Sequence, residues 1–171
     1  MTGFLARFRV ALGFLLGGLV LWLSRPVWST WVAGVVVAAC GELLRIWAAG
    51  HLEKGREVTS SGPYRFTRHP LYMGSTLIGI GVAVASASVA VAAMIGVYLA
   101  LTLSAARRSE EAHLREKFGD AYDAYVERRA QPMRRRFSLA RALRNREHHT
   151  VAGLVAGFAL LAAKIAGLAG W

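Results

Sequence analysis

The chain has 171 residues, 55% of them hydrophobic and only 18% charged, with a mean hydropathy of +0.39, and its apolar stretches are longer than a soluble core requires. Its formal net charge of +11 raises nucleic acid as a partner, but the basic residues sit between apolar segments rather than on one domain, which argues against that partner and for a membrane protein. The single cysteine, Cys40, excludes a disulfide framework or a thiolate metal site within one chain and is best read as a small buried apolar residue.

In chain order, the first candidate span runs from about Phe4 to Ser24 and is followed by LSRPVW rather than a small-x-small cleavage pattern, so a retained helix is expected. A second runs from Val27 to about Gly50 and carries Glu42 and Arg45 in its last third. The uncharged run Leu71–Ala106 would be about 54 Å long as one helix at about 1.5 Å per residue. A hydrocarbon core of roughly 30 Å predicts instead two helices joined at residues 86–88. A last apolar segment, Thr150–Trp171, contains only Lys164 as a charge, expected to snorkel to the headgroups. These segments predict an all-α polytopic membrane protein with about five transmembrane helices.

Loop 50–70 holds four Lys/Arg and segment 107–149 holds twelve, whereas the connections at 25–26 and 86–88 contribute only Arg25. The basic parts then share one side, cytoplasmic by the positive-inside rule. The steps GFLLG (13–17), STLIG (75–79) and GLVAG (153–157) suit close helix packing. Within 107–149, RRSEEAHLREKFG reads as a helix leaving the fourth span and ending at Gly119, and Asp120 as the cap of a short helix with Tyr122 and Tyr125 on one side. Pro132 ends that helix, and MRRRFSLARALRNR predicts a basic amphipathic stretch on anionic headgroups. EHH (147–149) reads as a solvated loop rather than a metal site, because adjacent helical residues do not converge.

The stretch GPYRFTRHPLYMG (62–74) is the chemically dense part of the chain. Pro63 and Pro70 push Gly62 and His69 out of helical geometry, so a stiff loop is expected to end where Pro70 opens the third span. Its rings, Tyr64, Phe66, His69 and Tyr72, suit either an interfacial belt or a ligand pocket. Two features favour the pocket. Glu42 and Arg45 are an expensive pair within a span. Glu110 and Glu111 lie where the fourth helix leaves the membrane, and a hairpin of the third and fourth spans brings Glu110 near His69. An aromatic, cationic site faced by a carboxylate suits a small zwitterionic or cationic ligand.

EVTSSGPYRFTRHPLYMG followed by a hairpin and SEEAHLREKFGDAYDAYVERR resembles the isoprenylcysteine carboxyl methyltransferase and phospholipid N-methyltransferase family, over roughly residues 41–129. The resemblance implies an integral membrane enzyme using S-adenosyl-L-methionine. It implies that Val58, Thr59, Tyr64, His69, Pro70, Leu71 and Tyr72 line the cofactor and that Glu110 closes it. Arg56 stands where several members have a histidine. Isoprenylcysteine members often carry a substrate-side arginine four residues before the first glutamate; here that position is Ala106, with Arg107 one step on, about 100° around a helix. The chain also continues past Arg129 into a further span.

The resulting expectation is a methyltransferase for a lipophilic, membrane-dissolved acceptor (a lipid amine, thiol or carboxylate), with a cytoplasmic-face cofactor pocket. Arg107 and Glu111 are the catalytic candidates, Glu111 or a water taking the proton from an amine, and Arg45 is the substrate-side candidate. The expected division is residues 1–50 as two N-terminal spans, 51–131 as the methyltransferase core, and 132–171 as a basic interfacial segment plus a last span. A non-catalytic scaffold or small-solute transporter is the alternative, although no inverted repeat is visible.

Overall fold

A computed structural model describes residues 13, 15–131 and 133–167. The start of the first expected span, Pro132 and Trp171 lie outside them. Every regular element among the described residues is a helix. Residues 15–23 form α1, Trp28–Ala49 α2, Pro70–Ser86 α3, Val89–Phe118 α4, Asp120–Val126 α5, Leu139–Arg144 α6 and Glu147–Ile165 α7, with a 3-10 turn at Gly62–Arg65. The protein is a polytopic all-α membrane protein.

Local chemistry sets these boundaries. Thr30 donates its hydroxyl to the Val27 carbonyl (3.0 Å) and fixes the entry to α2. Pro70 occupies the first turn of α3, where a missing N–H costs nothing. Ala87, in a left-handed conformation (φ 48°), ends α3, and Ser88 caps α4 by accepting from the Val91 amide. The expected break at 86–88 is where the structure places it. Gly119 (φ 47°) separates α4 from α5.

By length and composition α2, α4 and α7 can each cross a membrane. The apolar α3, with 17 residues, reaches about 26 Å, somewhat short of a roughly 30 Å core. It is carried between α2 and α4. Small residues bring α2 and α3 together: a Cβ added at Gly41 would lie 2.7 Å from the Gly74 carbonyl oxygen, and one at Gly81 would lie 2.6 Å from the Ala38 nitrogen. With the backbones this close, dispersion contacts hold the pair in a solvent that offers no hydrophobic drive. α7 joins α2 through Trp31, whose indole N–H donates to the Phe158 carbonyl at 2.9 Å.

The connections sort onto two ends. At one, the Arg25 amide donates to the Ser86 carbonyl (2.8 Å). There Lys164 donates to the Leu21 carbonyl (2.8 Å), capping α1 rather than only reaching toward headgroups. At the other end lie loop 50–69, α5 and the strap 133–146. The strap departs from the expected surface stretch. α6 spans only six residues, Arg141 donates to Glu53 at 2.8 Å and Arg135 to Glu57 at 2.8 Å, and Phe137 packs against Gly50. Two of its arginines thus face the protein.

Candidate functional site

The loop between α2 and α3 is rigid for identifiable reasons. Gly62 (φ 56°) passes over His51, and a Cβ there would come within 2.5 Å of the imidazole. His51 shares a hydrogen bond with the Ser61 hydroxyl at 3.1 Å. Burial, with Arg141 and Arg135 nearby, pushes the His51 pKa down, so it stays neutral there. Tyr64 is buried, and Tyr125 of α5 donates its hydroxyl to the Tyr64 carbonyl at 2.8 Å. Burial raises both phenols, Tyr125 to about 12. Tyr122, almost wholly buried, sets its ring beside that of Tyr125, with centroids 6.4 Å apart.

The loop hands the chain to α3 beside the polar end of α4. His69 Nε2 lies 2.7 Å from Glu111 Oε1, and Arg107 Nε lies 3.5 Å from the same oxygen. Tyr72 donates its hydroxyl to Glu110 Oε2 at 2.6 Å. The His69 and Tyr72 rings stack, with centroids 5.5 Å apart and planes 22° apart. The two glutamates are therefore both tied to the first turn of α3, 38 and 42 positions away. Glu111, rather than Glu110, is the partner of His69.

Below this polar cluster the two helices part. A groove of about 590 Å³ runs between α3 and α4, with His69, Tyr72, Thr67 and Arg107 at its mouth. Its α3 wall carries Thr76, Gly79, Ile80 and Ala83. Its α4 wall carries Ala92, Gly96, Ala100 and Ser104. These last four recur every four residues, one face of a helix, and their small side chains leave the space. That stripe is the signal by which the sequence could have pointed to the groove, and it is not among the small-residue steps read from it.

Of the expected site residues, His69, Tyr72 and Arg107 line the groove, and Glu110 and Glu111 bind its rim through Tyr72 and His69. Val58, Thr59 and Tyr64 belong to the same loop layer without lining the groove; the Thr59 hydroxyl accepts from the Glu53 amide at 3.4 Å. Pro70 is buried at the start of α3, and the Leu71 carbonyl accepts from Ser75. Arg45 stands elsewhere, in the crevice between α2, α3 and α7. Its Nε and Nη2 reach the two oxygens of Glu147 at 3.1 and 3.0 Å, and Glu42 lies 3.8 Å away. Glu147 is buried at the first position of α7, not in a solvated loop as the EHH pattern suggested. Desolvation explains it: Arg45, half-buried within a span, is best matched by a carboxylate close by.

What these elements define is a helical membrane protein with a rigid aromatic and basic loop above an apolar groove. The family model described as phospholipid methyltransferase matches residues 8–121, well over half the chain, and the chain belongs to that family. It is 29% identical over 109 residues to the nickel-cobalt-cadmium resistance protein NccN of Alcaligenes xylosoxydans xylosoxydans, a match covering 63% of this chain and 49% of that protein. The chain thus spans about half the length of this curated relative. No solved structure matches.

Proposed function

We propose that this protein transfers a methyl group from S-adenosyl-L-methionine to a lipophilic acceptor that enters the α3–α4 groove from the bilayer. One observation carries the reading: the family motif residues His69 and Tyr72, with Arg107, form the mouth of an apolar groove of about 590 Å³. The membership of the chain in a methyltransferase family supports it.

The residues at the mouth fit the cofactor chemically. Two carboxylates, Glu110 and Glu111, stand beside the stacked His69–Tyr72 rings, where carboxylates and aromatic faces both favour a cation. The cofactor supplies an electrophilic methyl on a sulfonium; the chain's residues bind, orient and exclude water. Val58, Thr59, Tyr64, His69, Pro70, Leu71 and Tyr72, all in or next to the loop, would form the cradle. Glu110 would hold the α-ammonium rather than the sulfonium, because a carboxylate at the sulfonium would stabilise charge that must disperse in the transition state. Arg107 orients the acceptor at the mouth, and Glu111, held by His69 and Arg107, takes the proton of an ammonium so that the amine attacks the methyl neutral; a carboxylate acceptor needs no base. Arg45 joins α2 to α7 in this scheme, one step removed from substrate.

Residues 51–131 form the catalytic unit, 1–50 supply two spans and 132–171 the strap and last span, with the loop end cytoplasmic by its basic charge. The test is to incubate purified protein with methyl-labelled S-adenosyl-L-methionine and a total lipid extract. Label should pass into an organic-extractable product, and less with His69→Ala than with wild type. Retention of all label in the aqueous phase contradicts the proposal.

A further inference from the structure

Where the strap meets the end of α2, a second cavity of about 180 Å³ is lined by Leu52, Glu53, Lys54, Arg56, Arg141, Arg144 and Asn145. Four basic side chains face it against one acid. That acid is already shared: Arg141 Nε donates to Glu53 at 2.8 Å and Arg144 Nη2 to the same oxygen at 3.2 Å. The other acid of the loop, Glu57, is taken by Arg135. The side chains of Lys54 and Arg56 make no hydrogen bond or ion pair among the described residues.

Bringing four cations from segments nearly ninety positions apart around one carboxylate is unfavourable unless something relieves the surplus. The nearby carbonyls do not repel an anion from the cavity, because the structure has already capped them. Arg141 donates to the Gly50 carbonyl, and Asn145 donates to the carbonyls of Ala49 (2.8 Å) and Leu52 (3.0 Å). What is left facing the space is donor-rich: the ammonium of Lys54 and the guanidinium groups of Arg56 and Arg144. The volume equals about six waters, room for one tetrahedral anion with part of its hydration. Arginine forks match phosphate oxygens, and lysine adds a point charge. We infer that this cavity is a phosphate-binding site, separate from the α3–α4 groove, which takes a phosphate group and ties the strap to the α2–α3 loop.

Lying just beyond the last turn of a span, the cavity is at headgroup depth, so the phosphate belongs either to an anionic lipid or to a soluble species. The experiment uses the full chain and reads its thermal unfolding midpoint. One arm adds inorganic phosphate in detergent against chloride at equal ionic strength. The other compares nanodiscs of phosphatidylcholine with nanodiscs in which a fifth of the lipid is phosphatidic acid. Binding to the folded state alone should raise the wild-type midpoint by roughly 3 °C or more in at least one arm. A rise in the phosphate arm supports the site and assigns a soluble phosphate; a rise confined to the nanodisc arm supports it and assigns a headgroup.

The double variant Lys54→Ala, Arg144→Ala should lose the rise while keeping the wild-type midpoint in chloride and phosphatidylcholine. Arg56→Ala gives an independent reading if the double variant unfolds early, and should at least halve the rise. A wild type indifferent in both arms, or variants that respond as fully as wild type, overturns the inference. Because no cofactor enters either arm, the result is independent of the methyltransferase proposal.

Discussion

The two faces of α3 are built on opposite plans. Toward α2, Gly74 and Gly81 meet Gly41 and Ala38 with no room for a further carbon. Toward α4, Gly79 takes the Leu99 side chain, whose Cδ1 would lie 2.5 Å from an added Cβ, whereas Gly96 on the α4 side has nothing within 4 Å of where a Cβ would stand, and the groove opens beside it. The same residue type therefore does two things: Gly74, Gly81 and Gly79 of α3 admit a neighbouring segment, whereas Gly96 of α4 leaves a void. Neither face follows from composition, because both are apolar and rich in small residues. The difference lies in what stands opposite. It teaches that α3 is a fixed wall, braced from behind by α2 and α7, against which a ligand can be held in front.

The largest effect should come from the braced side. Arg45→Met leaves Glu42 and Glu147 buried without a counter-charge and should cost about 3–5 kcal/mol, read as loss of the folded protein in detergent. Glu147→Ala should cost less, because Arg45 can turn to Glu42, now 3.8 Å away. Equal losses would mean that Glu42 gives no such refuge. Next, Gly41→Val forces α2 off α3 and should cost about 1–3 kcal/mol by overpacking, checked by thermal unfolding. A stable variant would show that the close approach is dispensable. Smallest in stability is Gly96→Leu on the open face, expected within about 0.5 kcal/mol of wild type yet with acceptor turnover at least several-fold lower. Normal turnover would separate the groove from the reaction.

Much of this architecture can be read from sequence where one element decides the outcome. The break at 86–88 follows from bilayer thickness, and the start of α3 from Pro70. The encounter of the loop with Glu110 and Glu111 follows from hairpin topology. Pairings across distant segments are less legible. Glu147 sits in a run that looks solvated, and its partner Arg45 is 102 positions away. The strap arginines fit an amphipathic surface pattern, yet three of them meet loop acids, Arg141 and Arg144 at Glu53 and Arg135 at Glu57. The groove goes unread from sequence, because its signal, the stripe Ala92, Gly96, Ala100 and Ser104, lies among larger lining residues such as Ile95 and Leu99. Its lining also shows why Arg45, the substrate-side expectation, stands apart: its place in a span marked a charge within the membrane, not the direction it faces.

On the proposed function, cofactor and acceptor meet at the mouth of the groove, one held at its rim and the other in its shaft. The most direct measurement determines, for wild type, Glu110→Gln and Gly96→Leu, both the Kd for S-adenosyl-L-methionine and the KM for the labelled lipid acceptor. Losing a charged hydrogen bond of about 1.5–3 kcal/mol should weaken cofactor binding in Glu110→Gln by about tenfold to over a hundredfold with the acceptor KM little changed. Gly96→Leu should do the reverse. Two variants that shift the same constant, or neither, would contradict the account.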